Sequence, residues 1–322
     1  NQGKRAIIID LKTSGGRDLL ARLVRHADAV IHNFLDRSAE SLGISAAQLK
    51  ALNPDIVSCQ VSAWGGPDGG PLKDDPAFDP VLQSATGITA RYGSPDAPAL
   101  HGLASCVDYI TGFSAALGVL QALVARRLGR GGAHVRTSLA MGAQLVQFPF
   151  MTAGAAASQP AEAATQCASG PAPQHRPYQL RDGHGFLACR QADLATVAER
   201  LGATSATAQA LATALSGLSL ADAADRVRDV AGAAIVAIRF PDELRAAATL
   251  PDGEAFDARR MGFAMVRAPH PSGHRITLPL PTWYRSPAFP IHPLSAAPEP
   301  GHDTRAVLAE LGLTDSEVQA LL

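Results

Sequence analysis

The sequence of 322 residues predicts an α/β protein: a parallel sheet covered by helices, followed by a smaller α+β domain. Three observations carry that expectation. Short, continuously apolar runs at residues 6–11, 29–34 and 56–62 have the length of strands buried on both faces. Segments of helical period separate these runs, and strands alternating with helices assemble as a parallel sheet. An Ala-rich stretch, 193–228, then changes the texture of the chain.

Taken in order, residues 6–11 (AIIIDL) read as the first strand. Thr13 or Ser14 can cap the following helix, which carries Leu19, Leu20, Leu23 and Val24 on one face. Residues 29–34 form the next strand, 46–52 a short helix and 56–62 a third strand. The Gly/Pro-rich segment 65–76 reads as a long loop, of the kind that often carries function. A second short helix follows at 80–87. The strongest helix spans 107–128, where Ile110, Phe113, Leu117, Leu120 and Val124 repeat at helical spacing and make one apolar face. Glycines at 129–132 end it, and 133–138 can return as a strand. Residues 153–177 read as an Ala/Pro/Gln-rich linker. Residues 178–189 read as a hairpin turning at Asp182-Gly183. The stretch 193–228 suits two or three helices. Pro-rich sequence at 269–300 leads to a last helix, 304–311, capped by Thr304. The expected division is a large domain at 1–184 and 272–322, with a small domain at 185–271.

Composition narrows the function. A hydrophobic content of 47% supports a sizeable core. With 28 basic and 29 acidic side chains the net charge is −1, which gives no field to attract nucleic acid. No Lys/Arg cluster suggests a membrane patch, and no apolar run approaches the roughly 20 residues needed to cross a bilayer. The four cysteines, Cys59, Cys106, Cys167 and Cys189, share no paired spacing, as in a reduced, cytoplasmic protein. The abrupt start at Asn1 suggests a missing upstream segment.

The common catalytic motifs are absent. The run GRGG at 129–132 follows a helix instead of opening one, so it reads as a C-cap and not as a pyrophosphate cradle. There is no Walker A sequence and no G-x-S-x-G elbow. His270 and His274 have the spacing of a zinc pair, but Pro271, Ser272 and Gly273 between them oppose a helix, so no metal is expected. His26, His32, His101, His134 and His302 are scattered and read as satisfied or solvated. Asp108 remains, near the start of the strongest helix. Its charge suits the helix dipole as a cap, and the same position suits a catalytic carboxylate. Residue chemistry leaves both open.

Several segments, in chain order, resemble signatures of the family III coenzyme A (CoA) transferases, the CaiB/BaiF family. Residues 1–13, NQGKRAIIIDLKT, are similar to N-R-G-K-R-S-I-x-L-D-L-K-T. Residues 28–34, DAVIHNF, resemble the strand A-D-V-V-I-x-N-F, and 40–43, ESLG, the E-R-L-G after it. NPDIV at 53–57 and SAWGGP at 62–67 resemble N-P-x-L-V and S-G-F-G-x-x-G-P. Asp79, Gln83 and Gly87 match D-x-x-x-Q-x-x-x-G. DYITG at 108–112 resembles the segment carrying the family's nucleophilic aspartate, and the likeness extends to Pro177, Tyr178, Asp182, Gly183 and 301–312.

The resemblance implies a Rossmann-like large domain, a smaller domain and an interlocked homodimer. It implies transfer of CoA from an acyl-CoA to a small carboxylic acid, both as substrates, with no tightly bound cofactor. Asp108 would be the covalent nucleophile. Asp79 would be a second active-site carboxylate, although a helix cap is its plainer reading. Ile9, Lys12, Asn33, Phe34 and Arg37 would border CoA; a solvated lysine is an equal reading of Lys12. Two departures stand out. Ser41 replaces an expected arginine, for which Arg37 could substitute, and only Gly170 remains of the glycine run that closes over formyl-CoA transferase sites. Two alternatives are an α-methylacyl-CoA racemase and a non-catalytic CoA-binding protein. The racemase pairs its aspartate with a histidine, and that position is Phe78, which cannot move a proton. His101 is the nearby candidate for a second base.

Overall fold

A computed structural model describes residues 1–102, 105–151, 170, 172–251, 265–279 and 295–321. Helix α1 (Ser14–His26) starts where Thr13 accepts a hydrogen bond from the Gly16 N–H at 3.0 Å. Strand β1 (Ala29–His32) is followed by α2 (Asp36–Leu42) and α3 (Ala46–Leu52), the latter opened by a reciprocal Ser45–Gln48 capping box. Strand β2 (Val57–Ser62) leads through a Gly/Pro-rich loop to α4 (Asp79–Ala85) and α5 (Ile88–Tyr92). The long helix α6 (Cys106–Ala125) precedes β3 (His134–Ser138) and α7 (Leu139–Met151).

The sheet runs β1-β2-β3, all parallel, with Cys59 opposite Ile31 and Val135, and Gln60 opposite His32 and Arg136. Alternation along β2 therefore separates two faces. Val57 and Cys59 pack against Ala115, Val119 and Ala122 of α6. Ser58 and Gln60 face the other way and are also buried.

Contacts divide the chain into two compact units, Asn1–Ile8 with Ser169–Val307 and Ile9–Ala168 with Leu308–Leu322. The first unit holds an antiparallel sheet of β4 (His175–Leu180), β5 (Gly183–Ala188) and, after three helices, β6 (Ala234–Ala237). The helices are α8 (Leu194–Leu201), α9 (Ala208–Ser216) and α10 (Leu220–Val227). Their Val197, Leu211, Leu215 and Val227 share a core with Leu180 and Leu187 of the sheet. Helix α11 (Pro241–Ala248) and the hairpin β7 (Met265–Pro269)–β8 (Arg275–Pro279) follow, with His270 and His274 flanking the hairpin turn. Helices α12 (Thr304–Glu310) and α13 (Asp315–Leu321) close the chain. Leu308 and Val318 pack on Leu19 of α1.

Four expectations change. Residues 6–11 form no strand: the Ala6 N–H donates to the Asp303 carboxylate at 2.9 Å and the Ile8 N–H to the Thr304 hydroxyl. The expected domain boundary at 184 would cut β5, which bonds to both β4 and β6, so the division falls before the hairpin. The large apolar side chains of α6 are not its core face. Phe113, Leu117, Leu120 and Val124 are exposed, while smaller residues meet the sheet. By length and composition the stretch Cys106–Arg130 is also long and apolar enough to cross a membrane. Interspersed Gly, Ala, Ser and Thr conceal that stretch in the sequence. The expected linker at 153–177 lies largely outside the described residues.

Candidate active site

Helix α6 begins without help from its own flanking residue, since Ser105 makes no side-chain cap bond. Its orphan N–H groups are met from another element. One Asp79 oxygen accepts the Val107 N–H at 2.9 Å and the Asp108 N–H at 3.1 Å. The other accepts from the Gln83 side-chain amide, one turn further along α4. The Gln83 carbonyl oxygen accepts the His101 N–H at 2.9 Å, and its amide also donates to the His101 carbonyl. Asp79 and Gln83 are each 2% exposed. One buried pair thus joins α4, the first turn of α6 and the segment at His101.

Asp108 stands exposed on that first turn. Burial of its surroundings, and then the charge of Asp79, push its pKa above the usual aspartate value. The same turn carries Cys106, whose thiol is pushed up chiefly by burial and then by Asp79. Trp64 packs in the cluster that includes Cys106 and Val107, and its buried indole N–H has no hydrogen-bond partner among the described residues. The His101 ring meets Tyr92 edge-on at 4.8 Å, with its buried Nδ1 unpartnered among the described residues. Phe78 precedes α4 and is 66% exposed.

The residues expected to border CoA lie on other segments of the same unit. Ile9 packs beside Leu19 and Leu308, and Lys12 is exposed in the turn before α1. Asn33 and Phe34 are exposed just after β1, at the carboxyl end of the parallel strand where such sheets bind ligands. Arg37 and Ser41 lie one turn apart on α2, so both point to similar surroundings. Beneath them the Gln60 amide donates to the Phe34 carbonyl at 2.9 Å and to Asp36 at 3.1 Å, while Arg136 pairs with Asp36. Burial lowers the pKa of His32 and His134 beside this network. The structure thus brings Asp79 to Asp108, and sets Asn33, Phe34 and Arg37 along one strand-to-helix segment.

Sequence reasoning missed the joining role of Gln83 and the Gln60–Asp36–Arg136 network. The i,i+4 spacing of Asp79 and Gln83 was the available signal for the first. The second depends on strand register, which brings position 60 opposite 136.

The family model described as CoA-transferase family III matches residues 1–304. The chain belongs to that family. Among curated relatives of this family III chain, the CoA-transferase/lyase DddD of Marinomonas sp. (strain MWYL1) is 33% identical over 193 residues, 60% of this chain and 23% of that protein. A succinate–glutarate CoA-transferase of Agrobacterium fabrum is 32% identical over 139 residues, 43% of this chain and 34% of that one. The matched region therefore spans about a third or less of these relatives' length. A crystal structure of a CaiB/BaiF family protein from Brucella suis has a TM-score of 0.73 at 23% identity, covering 97% of this chain and 82% of that one. The family III fold is thereby shown.

Proposed function

We propose that the protein moves CoA from an acyl-CoA donor to a carboxylic acid through covalent intermediates on Asp108. One observation carries this reading. An exposed carboxylate with raised proton affinity stands on a helix turn whose backbone is fixed from a second element. The names of the family relatives supply the reaction class.

An Asp108 carboxylate oxygen attacks the donor thioester carbonyl, and the C–S bond breaks with its electron pair leaving on the CoA thiolate. The product is an aspartyl–acyl anhydride. The thiolate then attacks the aspartyl carbonyl, releasing the donor acid and forming an aspartyl–CoA thioester. The acceptor carboxylate repeats the two exchanges in reverse, yielding acceptor-CoA and free Asp108. Each step exchanges one activated acyl bond for another, so the thioester energy is retained.

Ile9, Lys12, Asn33, Phe34 and Arg37 form the proposed CoA side. Arg37, one turn from Ser41, takes the phosphate contact that an arginine at 41 would make. The racemase alternative loses support, because exposed Phe78 offers no second base. The protein works as an interlocked homodimer in this reading. The support is the apolar row Tyr109, Phe113, Leu117, Leu120, Val124 and Leu128 along α6 and its extension, all exposed in the single chain. Cys59, Cys106 and Cys189 are free thiols, which suits a reducing, cytoplasmic setting.

The test uses full-length protein, a panel of acyl-CoA donors and acceptors such as succinate, glutarate and oxalate, with CoA esters resolved by chromatography. Asp108→Asn should abolish transfer with the fold intact. Acyl-CoA followed by hydroxylamine should leave a hydroxamate on Asp108, visible by mass spectrometry. Undiminished transfer by Asp108→Asn would rule out the covalent role.

A further inference from the structure

We propose that Asp79 and Gln83 are a positioning pair for Asp108, and that Asp79 does not itself touch substrate. This deepens, and rests on, the reading of Asp108 as nucleophile.

Both Asp79 oxygens are already occupied. One receives two backbone N–H groups from the first turn of α6, and the other receives the Gln83 amide. Three of its roughly four acceptor positions are taken, and at 2% exposure the carboxylate is closed to a reacting acyl group. Its position is that of a helix cap supplied from a different helix. Such a cap fixes more than the helix end, because one of the N–H groups belongs to Asp108 itself. Gln83 then fixes Asp79: its amide is spent on Asp79 and the His101 carbonyl, and its oxygen on the His101 N–H. Rotating Asp79 away from α6 would strand polar groups on two segments, the first turn of α6 and the Gln83 amide of α4, each costly to leave unpaired.

The arrangement also acts on Asp108 by charge. Burial comes first in raising the proton affinity of Asp108, and the charge of Asp79 on α4 adds to it. Cys106 is the neighbouring thiol on the same turn. Against this turn α7 presents uncharged Gly142, and His101 is tied to Gln83 through its backbone N–H and carbonyl. A more basic carboxylate is the better nucleophile toward a thioester, so a fixed negative neighbour serves the attack while keeping clear of it.

The experiment uses the full-length protein and two independent readouts: steady-state transfer and a carbon-13 NMR titration of the Asp108 carboxylate. Asp79→Asn keeps an oxygen for the two N–H groups but removes the charge and turns an amide toward the Gln83 amide. The expected result is a fall in kcat of about 10- to 100-fold with KM little changed, typical of a misplaced reacting group. The Asp108 titration midpoint and the acid limb of the pH profile should both move to lower pH. Asp79→Asn/Gln83→Glu restores a donor–acceptor match between the two side chains, and should recover part of kcat. A role in stability alone would lower the unfolding temperature without moving the titration. An unchanged Asp108 midpoint in folded Asp79→Asn, or unchanged kcat, overturns the proposal. Should Asp79→Asn fail to fold, Gln83→Leu keeps the Asp79 charge and is judged by kcat alone: a fall with KM little changed is expected, and an unchanged kcat overturns the proposal. Retained transfer in Asp108→Asn would instead defeat the nucleophile reading, whatever the titration shows.

Discussion

At the scale of single residues, Asp108 separates a structural from a chemical use of the same position. A capping carboxylate is stabilised in its charged form and has a lowered pKa. Asp108 is shifted the other way, by burial first and Asp79 second. The sign of its linkage to stability follows. A carboxyl whose folded pKa lies above its unfolded value binds more protons when folded. Its contribution to stability therefore declines as pH rises from 3.8 through the raised value, and the penalty is fully present above that. Removing the charge should relieve the penalty. Asp108→Asn is expected to unfold at a slightly higher temperature than the parent at neutral pH, with the gap closing as pH falls toward 3.8. Calorimetry across that range is the check. A variant less stable at neutral pH would show that the carboxylate stabilises the start of the helix.

Single elements are held by close approach. Gly142 on α7 faces the turn of α6 that follows Asp108: a Cβ there would sit 2.2 Å from the Thr111 hydroxyl and 3.1 Å from the Val107 carbonyl. Thr111 is fully buried and donates to that same carbonyl at 2.7 Å. On helix propensity alone, Gly142→Ala would gain about 0.5–1 kcal/mol. Overpacking opposes it by about 1–3 kcal/mol, so the variant should lose stability on balance. A lowered unfolding temperature is the expected measurement, and an unchanged or raised one would mean that α7 does not seat on this turn. The regular elements near the site were legible because apolar runs and caps are local signals: β1, β2, β3, α1 and α6 fall close to their expected positions. What escaped is non-local. Residues 6–11 have a strand's composition, but the Ala6 N–H finds its partner 297 positions away. The period of α6 showed an apolar stripe without showing what covers it, and the covered face proved to be the small-residue one. For the site, the sequence pointed to Asp79 and Asp108 separately. Only the fold places one against the backbone of the other, across 29 positions.

The whole chain has a connectivity that bears on assembly. Each of its two compact units is assembled from segments distant in sequence. In the interlocked homodimer proposed above, two chains are linked, which an ordinary pair of subunits docked on one patch is not. The exposed row on α6 supplies apolar surface for the contact. Linkage and docking differ in exchange. A docked dimer separates and re-forms at a rate set by its interface, whereas linked subunits part only if a unit unfolds and lets a chain through. Two differently tagged preparations, mixed in native buffer, should therefore form no hybrid dimer over days. The same mixture unfolded and refolded together should give hybrids in statistical amounts. Native mass spectrometry reads both outcomes. Hybrids appearing in native buffer would indicate a docked pair, and a protein that stays monomeric would leave the α6 face to some other partner.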